Sequence, residues 1–152
     1  MMDQDFRTFT EKATFGVRAT ALIVRHHKLL LAKDQNNNYY PIGGAVLVGE
    51  KTEDAVLRET LEELGIQADV QKLAFIAENH FLKEGVYWHL IEFHYLVEPF
   101  EEPDLIMTEN TRQLNCEWID IDCLHSINLV PEFLKDCLPN WSGKIEHVYN
   151  KS

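Results

Sequence analysis

The segment Thr52–Leu64, TEDAVLRETLEEL, constrains the fold most, because it is the clearest helical stretch and is flanked on both sides by strand-like runs. Glu53 and Asp54 suit the first turn, Thr52 is placed to cap it, and Gly65 marks the stop. Before it, Thr14–Val24 (TFGVRATALIV) reads as a strand, His26-His27 as its turn, and Lys28–Ala32 as the return strand. Asp34–Asn38 is a polar loop, and Tyr39–Gly44 is extended chain entering a tight bend. After it, Ala68–Ala77 and Val86–Val97 read as strands, Glu98–Asn110 as an acidic loop and Cys116–Ile119 as a short strand. Val130–Leu138 reads as a modest helix ended by Pro139, and Lys144–Tyr149 as an edge strand. Mixed strands with two main helices suggest a sheet layered between helices. The expected class is α/β in the α+β sense: a mixed β-sheet sandwiched between α-helices.

On a helical wheel, Leu57, Leu61 and Leu64 fall together beside Thr60 and are expected to face the core. Glu59, Glu62 and Glu63 stand at i, i+3 and i+4, so their carboxylates crowd onto the opposite face. Like charges at these spacings cost a few tenths of a kcal/mol per pair. Arg58, four residues before Glu62, offsets part of that and cannot neutralise the cluster. Taken alone, the helix admits two readings: a solvated acidic face, or a site for Mg²⁺ or Mn²⁺, hard ions that prefer carboxylate oxygens and bind phosphates at the same time.

The neighbouring residues bear on that choice. Gly43-Gly44 lets backbone approach a ligand closely, and Glu50 stands just before the helix. Gly44 to Ile66 reads GAVLVGEKTEDAVLRETLEELGI. This resembles the signature of the Nudix hydrolase superfamily, G-x5-E-x7-R-E-U-x-E-E-x-G-U, where U is aliphatic. Gly44, Glu50, Arg58, Glu59, Glu62, Glu63, Gly65 and Ile66 match in register, and Thr60 stands where an aliphatic residue is usual. Many relatives read Leu-Pro-Gly-Gly before the box, whereas this chain reads Pro41-Ile42-Gly43-Gly44, with the proline displaced by one position.

The resemblance implies hydrolysis of a nucleoside diphosphate linked to another moiety. It makes Glu62 and Glu63 the principal ligands of Mg²⁺ or Mn²⁺, with Glu59 a third ligand or the group that takes a proton from water. The Gly43 carbonyl is a further candidate ligand, Arg58 would hold the carboxylates in place, and Glu50 would support the loop. The catalytic base of such enzymes often lies on a later loop; among Glu98, Glu101, Glu102, Asp104 and Glu109, the favoured residue is Glu109. For the substrate, Arg18 and Lys33 are candidate phosphate contacts, Tyr39 and Tyr40 candidate stacking residues, and Gly44 a point of close backbone approach. The polar strand residues Glu78 to His80, His89 and His94 are given no catalytic role. A MutT-type nucleoside triphosphate is the first substrate expectation, with ADP-ribose or a nucleotide sugar close behind. A nucleotide-sensing domain without turnover is the alternative from another class.

Composition limits the partners. Lys and Arg number 14 against 25 Asp and Glu, a net charge of −11. That balance argues against polymeric nucleic acid or an anionic membrane, where basic residues must neutralise phosphates. Cys116, Cys123 and Cys137 form no CxxC pair, consistent with reduced thiols. No apolar run approaches the roughly 20 residues of a membrane span, and the first residues lack the apolar stretch of a signal peptide. The expectation is a single Nudix domain over residues 1–152, cytoplasmic, acting on a small nucleotide, with homodimerisation left open.

Overall fold

The structure is a computed structural model and describes residues 3–151. Its spine is β2 (Ala13–Arg25), which folds back antiparallel into β3 (Lys28–Lys33). His26 and His27 form that turn with φ of 51° and 63°, the left-handed pair that matches the twist of a tight hairpin. β1 (Thr8–Phe9) pairs with the start of β2, and β4 (Asn38–Tyr40) with β3. Pro41, which has no N–H for a ladder, separates β4 from β5 (Ile42–Ala45), and β5 crosses to pair with β2.

The helix α1 (Thr52–Leu64) occupies the expected bounds, and Gly65 ends it at φ 70° with its N–H bonded to the Leu61 carbonyl. It leads to the long hairpin of β6 (Ala68–Lys83) and β7 (Val86–Pro99). β7 lies parallel to β2, so α1 belongs to the crossover that a parallel pair requires. β8 (Ile106–Glu109) and β9 (Arg112–Asp120) follow, β9 pairing with β3. A 3₁₀ turn (Ile121–Ser126), β10 (Asn128–Leu129), α2 (Leu134–Cys137) and β11 (Glu146–Lys151) complete the described chain. The main order is β10-β4-β3-β2-β7-β6-β11, with β11 parallel to β6 at the outer edge.

Alternation along β2 builds two cores. Ala19, Ala21 and Ile23 join Val56 and Tyr95 under α1, while Leu22 joins Phe75, Leu124 and Leu134 under the 3₁₀ turn and α2. The mixed sheet is therefore layered as expected, although its second helical layer is thin. Four residues of α2 replace the longer helix expected over 130–138: the Val130 N–H goes to the Tyr39 carbonyl, and residues 131–136 are joined by i to i+3 turns, Leu134 N–H to Pro131, Lys135 to Glu132 and Asp136 to Phe133. The segment expected to be a loop over 98–110 instead ends in β8. The long edge of β9 offers a ladder to Ile106 and Met107, and Met107 is buried.

Two features of α1 correct the wheel reading. Thr52 is not the cap: Lys51 holds that position without a side-chain bond, and the Thr52 hydroxyl lies 2.6 Å from the Tyr95 hydroxyl. The buried face is Ala55, Val56, Thr60, Glu63 and Leu64, while Leu61 is 48% exposed. The helix is thus rolled toward its carboxylates. Gly44 on β5 admits the close approach, since a Cβ there would strike the Glu59 carboxyl. Thr60 at the aliphatic box position is fully buried and satisfies its hydroxyl on the Val56 carbonyl at 2.7 Å.

Candidate active site

Arg58 organises the carboxylates. Its Nε donates to Glu50 Oε2 at 2.8 Å and its Nη2 to Glu50 Oε1 at 3.0 Å, a two-point grip on a side chain only 2% exposed. Its Nη1 donates to Glu59 at 2.8 Å and Glu62 at 3.2 Å, and Nη2 also donates to the Ala45 carbonyl at 3.0 Å. Glu50 accepts the Leu47 N–H at 3.0 Å, which fixes the loop before α1. Arg58 holds the Glu50 carboxyl below its ordinary value, and Glu50 and Glu59 in turn hold the guanidinium charged.

Glu63 is handled differently. It is 7% exposed, and its hydrogen bond comes from the Gly43 N–H at 3.3 Å. Burial, with the charge of Glu59 added, pushes its carboxyl up to about 8; Arg18 and the Gly43 amide oppose the rise, and Glu109 adds to it. Arg18 and Glu109 are therefore close enough to be felt at Glu63. On β2, Arg18 stands opposite Ala45 and Glu92. Glu109, at the end of β8, pairs with Arg112 at 3.6 Å, while Glu98 and Glu102 are both engaged by Arg25.

The glycines show how tightly this corner is packed. A Cβ on Gly43 would meet the Ala19 carbonyl and lie 2.9 Å from Thr20 Cα. One on Gly44 would lie 2.5 Å from the Glu59 carboxyl carbon. Gly44→Ala is expected to leave the melting temperature within a few degrees, since the clash falls on a flexible side-chain end. Displacing Glu59 should cost on the order of a hundredfold in kcat/KM, and steady-state kinetics on the folded variant check this.

Lys33 and Tyr40 are not brought to this corner. Lys33 pairs with Glu117 at 3.6 Å and sits over the Tyr39 ring, and the Tyr40 hydroxyl donates to Asp34 at 2.9 Å. Beside Arg18 and Ala45 is a cleft of about 110 Å³, also lined by Arg7, Trp88 and Leu90. Arg7 and Trp88 were invisible to sequence reasoning because strand pairing, not spacing, places them there. A larger groove of about 590 Å³ lies against α2 and β11 and includes none of the box residues. Beneath the sheet surface next to Arg18, Glu92 accepts from Asn79 at 2.9 Å and lies 2.9 Å from His94 Nε2, a buried set.

The donor set fits a divalent cation. All its oxygens are hard ligands, and the buried Glu63 carboxylate has no cationic side chain bonded to it among the described residues. Arg58 holds Glu59 and Glu62, while the Gly43 N–H holds Glu63. No helix among the described residues is long and apolar enough to cross a membrane.

Solved structures share this architecture. The MutT NUDIX hydrolase of Burkholderia pseudomallei is 27% identical, with a TM-score of 0.56 over 71% of this chain and 84% of that one. The MutT protein of Bacillus halodurans is 22% identical, with a TM-score of 0.63 over 89% and 90%. An ADP-ribose pyrophosphatase of Streptococcus suis is 18% identical, with a TM-score of 0.61 over 89% and 98%. Among curated proteins none matches the chain. The NUDIX domain model matches residues 14–140, and the chain accordingly belongs to the NUDIX domain family and is a Nudix hydrolase.

Proposed function

We propose that this chain, acting as one domain over residues 1–152, is a Mg²⁺- or Mn²⁺-dependent pyrophosphohydrolase of small nucleotides, with a MutT-type nucleoside triphosphate as its first substrate class. The observation that carries the reading is Glu63, a carboxylate sunk beside the Gly43 amide and raised by the charge of Glu59, on the helix where Arg58 grips Glu59 and Glu62. Burying a carboxylate without a compensating charge is costly, and a bound cation supplies that charge. When bound, the cation neutralises the diphosphate oxygens and acidifies a water.

The protein's own part is positioning. Arg58 keeps Glu59 and Glu62 turned toward the helix edge, and Glu50 keeps Arg58 in place. Arg18 sits between the cleft and Glu63, where its guanidinium can hold a phosphate oxygen. Glu109, whose charge is felt at Glu63, is the group to accept the proton of the attacking water. The cleft of about 110 Å³ falls short of the roughly 300 Å³ or more of a small-molecule pocket, so it admits part of a nucleotide and leaves the rest at the surface beside Trp88. A panel of nucleoside triphosphates, ADP-ribose and nucleotide sugars, assayed with Mg²⁺ and with Mn²⁺ for phosphate against pyrophosphate release, tests this. Water labelled with oxygen-18 identifies the phosphorus attacked. Absence of turnover across the panel with either ion would overturn the proposal.

A further inference from the structure

We infer that Glu78, His80 and His89 form a second metal site, on the β6–β7 hairpin, that takes a divalent transition ion of the zinc type. The antiparallel register sets His80 directly opposite His89, and Glu78 lies two residues before His80, on the same face of the strand. One ligand atom from each of the three residues lies within 4.8 Å of the other two. Ligand atoms on one tetrahedral zinc are about 3.4 Å apart, so small rotations of half-buried side chains close the site.

The imidazole rings are already arrayed. Their centroids are 3.9 Å apart, and the Phe15 ring meets His89 edge-on at 5.0 Å. The Tyr87 hydroxyl lies 2.9 Å from His80 Nδ1, the kind of outer partner that orients a ligating histidine. From the edge strand β11, His147 Nε2 lies 2.6 Å from Glu78 Oε2, so a fourth nitrogen borders the cluster. An ion held here would tie β11 to the hairpin. Two imidazoles and a carboxylate suit zinc, nickel or copper, whereas the all-oxygen box suits magnesium. The other group with ligand spacing, His27, Asp120 and Asp122, has one imidazole and two carboxylates, with both His27 and Asp122 exposed.

The inference stands apart from the nucleotide reading, since none of its residues lies in the box and its test needs no substrate. Zn²⁺ is titrated calorimetrically into the full chain under excess Mg²⁺, which fills the oxygen site. The expected result is one Zn²⁺ per chain, bound at least tenfold more weakly by His80→Gln and by His89→Ala and with unchanged affinity by Glu62→Gln. Because a variant can lose binding by unfolding, the wild-type chain is also loaded with Co²⁺ under the same Mg²⁺. Paramagnetic shifts are then expected on the His80 and His89 ring protons. Undiminished Zn²⁺ affinity in both histidine variants, loss of it in Glu62→Gln, or Co²⁺ shifts confined to residues 59–63 would each overturn the site.

Discussion

Arg58→Ala is expected to lower the stability of the metal-free protein by about 3–5 kcal/mol, because it strands a buried carboxylate rather than merely deleting a surface pair. Glu50 is 2% exposed, and both of its oxygens take their charged partner from Arg58. The same truncation frees Glu59 and Glu62 and drops the bond to the Ala45 carbonyl. For a chain of this length the loss corresponds to roughly 6–20 °C in melting temperature. A double-mutant cycle separates the causes. Glu50→Gln in the Arg58→Ala background should recover part of the loss, since a neutral amide no longer needs the guanidinium. An Arg58→Ala variant melting within a degree or two of the wild type would show that the clamp does not hold the corner together.

The helix and its box were legible because their signals are local. Acidic residues in the first turn, Gly65 at the end, and fixed spacing from Gly44 to Ile66 are all written along the chain, and α1 has the expected bounds. How α1 rolls against the sheet is not local. Leu61 and Glu63 exchange their expected exposures, and it is Gly44, on another strand, that leaves room for the neighbouring Glu59 carboxyl. Hairpin signals gave β2 and β3, whereas β8 was missed because its partner β9 supplies the ladder. Of the substrate candidates, Arg18 meets the site through the register of β2 with β5, while Lys33 and Tyr40 are engaged elsewhere. Three polar residues in β6 and β7 look unrelated along the chain, and only the pairing of His80 with His89 places Glu78 beside both.

Glu63→Gln is expected to abolish turnover, by more than about a hundredfold, while stabilising the metal-free protein at alkaline pH. The Glu63 carboxyl is pushed up to about 8 from an ordinary 4.5, chiefly by burial. A carboxyl raised by folding favours the fold when protonated. Its contribution is fully present below about pH 4.5 and is lost as the pH climbs through about 8, a loss of about 5 kcal/mol across that window. With chelator present, the wild type should therefore lose melting temperature relative to Glu63→Gln between pH 5 and 9, and the difference between the two curves removes the contribution of other titrating groups. Added Mg²⁺ binds the ionised carboxylate, so by mass action it should restore the wild type increasingly as the pH rises and leave Glu63→Gln nearly unmoved. If Mg²⁺ raised the melting temperature of both proteins equally, the cation would be binding somewhere other than this carboxylate. A wild-type curve parallel to the variant's in chelator would mean that burial does not hold Glu63 neutral.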